Sequence, residues 1–481
     1  MGTNERGTVA TRLHGFPSAT AAKGWSVGRA SGVRIAASPK VAMEHRMNRP
    51  PNNRILMLLE NMTFPQDLRV RREANALYAA GYRVTVICPA GDNQPYRETV
   101  NGVSVYRYPA PRAAIGFLGY IWEYGWSMAA SFFLTALVFL TEGFDVIHAH
   151  NPPDTFVFIA MLYKLFGKRF VYDHHDLSAE MYQARVSGRG NPVVYRVLIW
   201  LEKLTCFFAD HVIVTNESYK RFAVERGRVP ETRITIVRNG IELSSLNGSE
   251  PDRGLRGMGK TIIGFVGVMG FQDGVDCLLR VLQHLVHDLR RTDFHCVLIG
   301  GGDAWASLKA QAHQLGLDEH VQFMGFIFGE ELRRYLSAAD ICVDASPSNP
   351  YTNHSTMFKI MEYMSLGKPI VAFDLTEHRF TAQEAAVYVP ANDESAFARA
   401  IAQLMDDPQR RAALGEVGPR RIKAQLAWEY SIPNLLRAYR LVLPRAAQIE
   451  GQVSQQPISA VQPQHSSLAQ APSYKSGNWA D

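Results

Sequence analysis

Ser346 to Asp374, reading SPSNPYTNHSTMFKIMEYMSLGKPIVAFD, carries the residues whose types and spacing say most about chemistry. At 100° per residue, Met357, Ile360, Met361 and Met364 fall on one side of a short helix, while Ser355, Lys359 and Glu362 gather on the other. Gly367 and Pro369 close that helix, and the spacing predicts that it begins near Asn353 to Thr356. A helix N-terminus preceded by Asn353, His354, Ser355 and Thr356 offers unpaired backbone N–H groups and a positive dipole end, which suits an anion such as a diphosphate. Lys359 adds a formal positive charge one turn in. Glu362, on the same side, suits the neutral diol of a ribose instead. Phosphate and ribose together make a nucleotide; a solvated Lys/Glu pair on an exposed face is the competing reading.

A second group is rich in imidazole. FDVIHAHNPPD, Phe144 to Asp154, and RFVYDHHDLSAEMY, Arg169 to Tyr182, each read as a strand running into a polar turn. They place His148, His150, His174 and His175 at strand C-termini, the rim where open α/β sheets bind ligands. The loop Asn61 to Arg69 follows the strand RILMLL at the same rim, so Asp67 and Arg69, with Arg71 and Arg72, face either an acceptor or solvent.

The elements that must position these groups alternate in both halves of the chain. RILMLL, a helix through Val70, Ala74 and Leu77, and YRVTVICP form a βαβ unit, and VSVYRYP, FDVIHAH, RFVYDH, ADHVIVT and ITIVRNG continue it. The polar, Gly-rich run Ser244 to Lys260 is the natural linker. TIIGFVG then restarts the pattern, followed by FHCVLIGGGD, VQFMGF and ICVDASP, with Gly264, Gly267 and Gly270 after the first strand as a weak nucleotide-loop signal. The expected division is an N-terminal extension without order at 1–52, an acceptor domain at 53–245, a linker at 246–260, a donor domain at 261–428, a C-terminal helix at 429–445 and a tail without order at 446–481. The expected fold is α/β, two doubly wound domains facing across a cleft.

STMFKIMEYMSLGKPIV resembles the donor-site helix of the retaining glycosyltransferases of family four, which have the GT-B fold of two facing Rossmann-like domains. Their signature is two Glu separated by seven residues. Here the second is Glu362 and the first position holds His354. The resemblance implies that Glu362 holds the donor's ribose and sets His354 near the sugar, with Ser355, Thr356 and Lys359 at the donor. HHDLS is similar to the family's acceptor-domain motif, which makes His175 the imidazole close to the reacting sugar and His174 its rival, with His150 nearby. The family also carries an Arg and a Lys in the Gly267–Gly270 loop. Those positions read Val268 and Asp273, so Lys359 and Arg238 of the VRNG turn must substitute. The implied activity is retaining hexosyl transfer from a nucleotide-diphosphate sugar to a hydroxyl of a sugar or lipid-linked acceptor, in cell-envelope or extracellular polysaccharide synthesis, with no metal or other cofactor required. A GT-B-like binding protein that has lost transfer activity and a nucleotide-sugar epimerase are the alternatives.

Composition bounds this reading. The chain has 481 residues, 47% apolar and 20% charged, with a formal charge of +6 and a pI near 9.0, and it lacks the motifs of nucleic-acid recognition. Cys88, Cys206, Cys277, Cys296 and Cys342 are widely spaced within apolar runs, which fits buried, reduced thiols in a cytoplasmic protein and no structural metal site. Ala113 to Leu140 is strongly apolar but interrupted by Glu123 and glycines, and its cleanest part, Tyr124 to Leu140, falls short of the roughly 20 residues a spanning helix needs. A buried or interfacial helix is expected, with Trp122 and Trp126 suited to peripheral contact with the cytoplasmic face of a membrane.

Overall fold

The computed structural model describes residues 53–443 apart from 92, 111–116, 187, 247 and 271. The expected extension at 1–52, the tail at 446–481 and the start of the 113–140 stretch lie outside the described residues.

β1 (Arg54–Leu58) sends Ile55 and Met57 into one core and Leu56 and Leu58 into the other, the period of two required of a sheet covered on both faces. Asp67 caps α1 (Leu68–Ala79) by accepting from the Val70 amide at 2.8 Å, and α1 buries Val70, Ala74 and Leu77 against that sheet. β2 (Arg83–Pro89) completes the unit. β3 (Arg97–Val100) pairs antiparallel with β4 (Val103–Tyr108), a hairpin edge not signalled by the sequence alternation. The domain continues through α2 (Phe117–Thr141), β5 (Val146–His150), α3 (Val157–Lys164), β6 (Arg169–His174), α4 (Ser178–Arg185), α5 (Pro192–Phe208), β7 (His211–Val214), α6 (Glu217–Glu225) and β8 (Ile234–Ile236). Its sheet has the order β3-β4-β2-β1-β5-β6-β7-β8.

The second domain contains α7 (Arg253–Arg256), β9 (Thr261–Val266), α8 (Val275–Gln283), β10 (Phe294–Ile299), α9 (Trp305–Gln314), β11 (Val321–Gly325), α10 (Gly329–Ala338) and β12 (Ile341–Asp344). It ends with α11 (Phe358–Ser365), β13 (Ile370–Phe373), α12 (Thr376–Ala382), β14 (Ala386–Val389), α13 (Glu394–Asp406) and α14 (Pro408–Arg421). The strands are parallel in the order β11-β10-β9-β12-β13-β14. Both halves are thus doubly wound α/β domains. The linker is shorter than 246–260, because Asp252 caps α7 and pairs with Arg334 at 3.1 Å, while Leu255 is buried in the second domain's core. α15 (Ile432–Val442) returns to the first domain and buries Leu435, Ala438 and Tyr439 beside α1. All five cysteines are buried and unbridged.

The loops after β9 and β10 meet backbone to backbone. Gly300 has φ +133°, and a Cβ there would stand 1.8 Å from the Gly267 carbonyl oxygen. Gly300→Ala is therefore expected to lower unfolding free energy by about 2 kcal/mol or more, read as a lower denaturant midpoint at unchanged slope. An unchanged midpoint would mean that the two loops do not approach this closely.

Candidate active site in the interdomain cleft

Strand alternation decides which histidines reach the first domain's rim. In β6, Val171 and Asp173 face the core under α1, and Phe170 and Tyr172 face the opposite core. His174 shares that second side, stacked on Tyr172 at 5.2 Å between ring centroids. Burial lowers its pKa to about 4, so His174 is a neutral core residue and not the acceptor-side group expected. His175 lies one residue beyond the strand, held through its backbone N–H by Asn151 Oδ1 at 2.8 Å. Its Nδ1 is 3.4 Å from Asp173 Oδ2. Burial is the largest influence and would lower the His175 pKa, but the charge and hydrogen bond of Asp173 together with the Asp176 charge exceed it, and the net shift is upward.

Asp173 is the anchor beneath. Arg69 donates to both of its oxygens at 2.7 Å and to the Val237 carbonyl at 3.0 Å. Burial opposes ionisation, yet Arg69 and His175 hold the Asp173 pKa well below the usual carboxylate range. His150 Nδ1 sits 2.8 Å from Asp173 Oδ2 and its ring stacks on His148 at 4.2 Å. Arg69 and His150 were expected on the acceptor side. Both are buried below the rim, where they support Asp173 and His175. Asp67 remains partly exposed at the rim. Glu73, His148, His150 and Asp173 bring atoms able to ligate a metal within 4.8 Å of one another. Both carboxylates there already face the Arg69 guanidinium, which supplies the positive charge.

Across the cleft, α11 starts at Phe358, later than the sequence suggests, because residues 350–355 form turns. Tyr363 fixes its position: the hydroxyl accepts from the Val266 amide at 3.0 Å and donates to the Val343 carbonyl at 3.3 Å. Lys359 consequently points at the Gly267 loop, and a Cβ on Gly267 would stand 3.4 Å from Nζ. Its counter-ion is Asp344 at 3.5 Å. Burial would raise the Asp344 pKa, but Lys359 and His378 hold it far below its ordinary value. Gly270 donates its N–H to Asp273 at 3.0 Å. Burial raises the Asp273 pKa to about 6, against the pull of Lys359. The Glu362 carboxylate has no hydrogen-bond partner among the described residues, and burial raises its pKa to about 7 against the pull of Arg72 and Lys359.

The domains are joined on either side of this space. Tyr351 OH donates to Asp176, next to His175, at 3.3 Å, and burial raises the Asp176 pKa to about 6. Asn216 donates to the His354 carbonyl at 2.9 Å and to Thr356 Oγ1 at 3.0 Å, Tyr219 OH meets Ser355 Oγ at 2.9 Å, and Ser218 donates to Glu377 at 2.8 Å. Ser355 and Thr356 are therefore committed to the domain contact and not to the donor loop. Arg238 pairs with Glu377 at 3.6 Å and lies 3.9 Å over the Phe380 ring, so it does not replace the missing loop cations. The His354 ring packs edge-on against Phe222 at 5.3 Å, in the same contact region as Glu377 rather than beside His175. Sequence reasoning missed Asp173, Asp176, Tyr351 and Glu377. Period-two reading of VYDHHD would have separated Asp173 from His174; the other three act between domains, and local pattern carries no such information.

Two family models match this chain: a glycosyl transferase 4-like domain over residues 67–240 and glycosyl transferases group 1 over residues 260–407, together more than half of its length. The chain is 23% identical over 384 residues to an uncharacterized glycosyltransferase of Methanocaldococcus jannaschii, covering 77% of this chain and 92% of that protein. Among solved structures it resembles sucrose-phosphate synthase of Thermosynechococcus elongatus, with TM-score 0.68 and 22% identity over 82% of this chain and all of that one (100%). It also resembles HepE of Anabaena in complex with UDP-glucose, with TM-score 0.57 and 16% identity over 84% of this chain and 100% of that one. These structural likenesses speak to the fold, and the fold and family agree: the chain belongs to the family-four type of GT-B glycosyltransferases.

Proposed function

We propose that this glycosyltransferase takes a nucleotide-diphosphate sugar as donor and passes the sugar to an acceptor hydroxyl with retention of anomeric configuration. The observation that carries this reading is the pairing of Lys359 over the Gly267 loop with Glu362 one turn along the same helix, whose carboxylate has no hydrogen-bond partner among the described residues. A diphosphate at the loop and first turn of α11 meets Lys359 and backbone N–H groups, and its ribose hydroxyls donate to Glu362. The solved complex of HepE with UDP-glucose supports a donor of this class.

In the proposed step the bond from the anomeric carbon to the diphosphate oxygen breaks and the bond to the acceptor oxygen forms on the same face. The acceptor proton passes to the departing diphosphate, whose charge is stabilised by Lys359 and the helix N-terminus. No metal enters this scheme. His175, held by Asp173, positions and polarises the sugar and is not assigned an obligatory base role. We assign the acceptor to sugars of the cell envelope or an extracellular polysaccharide, carried on lipid at the cytoplasmic face of a membrane. Asp273 and Val268, standing where the family has cations, favour a second reading as a donor-binding protein with weak or no transfer.

Incubation with a panel of nucleotide sugars separates these readings. Released nucleoside diphosphate that increases with a hydroxyl acceptor is expected, whereas donor binding without release would favour the second reading. Glu362→Gln is expected to weaken donor binding roughly tenfold, the order of one charge-assisted hydrogen bond. Wild-type affinity should rise from acid pH through about 7, as Glu362 ionises and can accept from the ribose, and the variant should lose that slope. Equal affinity and slope in calorimetric titration would remove the ribose role. His175→Ala should lower kcat by about 10²-fold with donor Kd little changed. His174→Ala should instead lower Tm, since it removes a core ring, and a larger kcat loss at His174 would reverse the assignment.

A further inference from the structure

Helix α2 is amphipathic in the reverse sense. Ser127, Ser131 and Thr135 at i, i+4 and i+8 are 0–2% exposed, and α2 packs on β2 and β4. Ser131 Oγ and Thr135 Oγ1 are buried without a hydrogen-bond partner among the described residues. The opposite side carries Trp126, Phe133 at 71% exposure, Leu137 and Leu140 at 81%. A helix in contact with water is expected to show the opposite arrangement. The Trp122–Thr141 segment is apolar and long enough to cross a membrane, but its hydroxyl face is seated on the sheet, so the helix lies along the domain.

The same inversion recurs in α5, which buries Glu202, Thr205 and Cys206 and exposes Val193, Val197, Trp200 and Phe207, the last at 73%. α3 packs against both helices, touching α2 through Phe139 with Tyr163 and Phe166, and it exposes Phe158; the turn after it exposes Leu165 and Phe166. Three neighbouring elements on one face of the sheet therefore present aromatic and aliphatic side chains outward. Such an extended apolar patch marks a protein or membrane contact. The charge around it selects the occupant. On α5 the exposed charged residues are Arg196 and Lys203, whereas the acidic Glu202 is buried and paired with Arg226. An anionic lipid surface complements these exposed cations.

We propose that α2, the end of α3 and α5 form a single docking surface for an anionic lipid bilayer, with Trp122, Trp126 and Trp200 at the headgroup level. α5 begins beside α4: the Asn191 amide donates to Tyr182 OH at 2.7 Å, and α4 follows directly on the His175 loop. The bilayer thus lies beside the acceptor side of the cleft, where a lipid-borne hydroxyl reaches it without leaving the surface. The docking itself does not depend on the transfer chemistry.

The test is co-sedimentation of the full chain with vesicles of phosphatidylcholine alone or in equal parts with phosphatidylglycerol, with tryptophan quenching by brominated lipid. Binding to the anionic vesicles and quenching are expected, and Phe133→Ser with Leu137→Ser and Trp200→Ser should reduce binding by at least about tenfold. Arg196→Glu with Lys203→Glu should reduce the preference for phosphatidylglycerol. Tm and nucleoside-diphosphate binding measured on the same variants show that they remain folded. A wild-type protein left in the supernatant with both vesicles, or binding indifferent to the triple substitution, would overturn the proposal. So would a dimer, absent from vesicles, that the triple substitution dissolves.

Discussion

The buried ion pair between Arg69 and Asp173 is the constraint on which the first domain's half of the cleft depends. An ionised carboxylate at a strand end inside a core is tolerable only with opposite charge and hydrogen bonds against it, and a bidentate guanidinium supplies both. Arg69 meets that need and ties α1 to β6 and to the chain after β8 in a single contact. Removing one partner of such a pair costs about 3–5 kcal/mol, because the other is left buried and uncompensated. The stabilised charge also acts on its neighbours: Asp173 faces both His150 and His175, and its field helps to raise the His175 pKa against burial.

The second domain meets the equivalent problem with Asp344 at the end of β12. That carboxylate is balanced by Lys359 and His378 and accepts from Ser346 at 2.6 Å, which holds the Lys359 side chain beside the Gly267 loop. Each half of the cleft thus has a buried carboxylate holding a basic side chain, His175 or Lys359, toward the shared space, and an anionic donor is the ligand such an arrangement suits. The contacts of Tyr351 with Asp176 and of Ser218 with Glu377 set how far apart the halves stand.

Much of this was legible in the sequence because it is written in local periodicity. The alternation of strand and helix gave the two domains, and the Met/Ile stripe from Met357 to Met364 gave the orientation of α11, with Lys359 and Glu362 away from the core side. His175 over His174 is likewise a matter of where β6 ends. What sequence could not show depends on partners distant along the chain. Arg69 and Arg238 look like free basic groups until Asp173 and Glu377 are placed against them. Ser355 and Thr356 look like a helix cap until Tyr219 and Asn216 arrive from the other domain. The hairpin strand Arg97–Val100 is too short and too polar to announce itself. The outward face of α5 was also missed, because its apolar stripe reads as core until the sheet is found on its other side.

The central claim, that a nucleotide diphosphate lies between the Gly267 loop and the first turn of α11, is tested most directly by amide hydrogen exchange with and without nucleoside diphosphates and their sugars. Ligand that sits there should slow exchange in Val266–Gly270 and Met357–Glu362, and the sugar-bearing donor should extend the protection to His175 and Asp176. No protection with any nucleoside diphosphate, or protection confined to segments away from both, would contradict it.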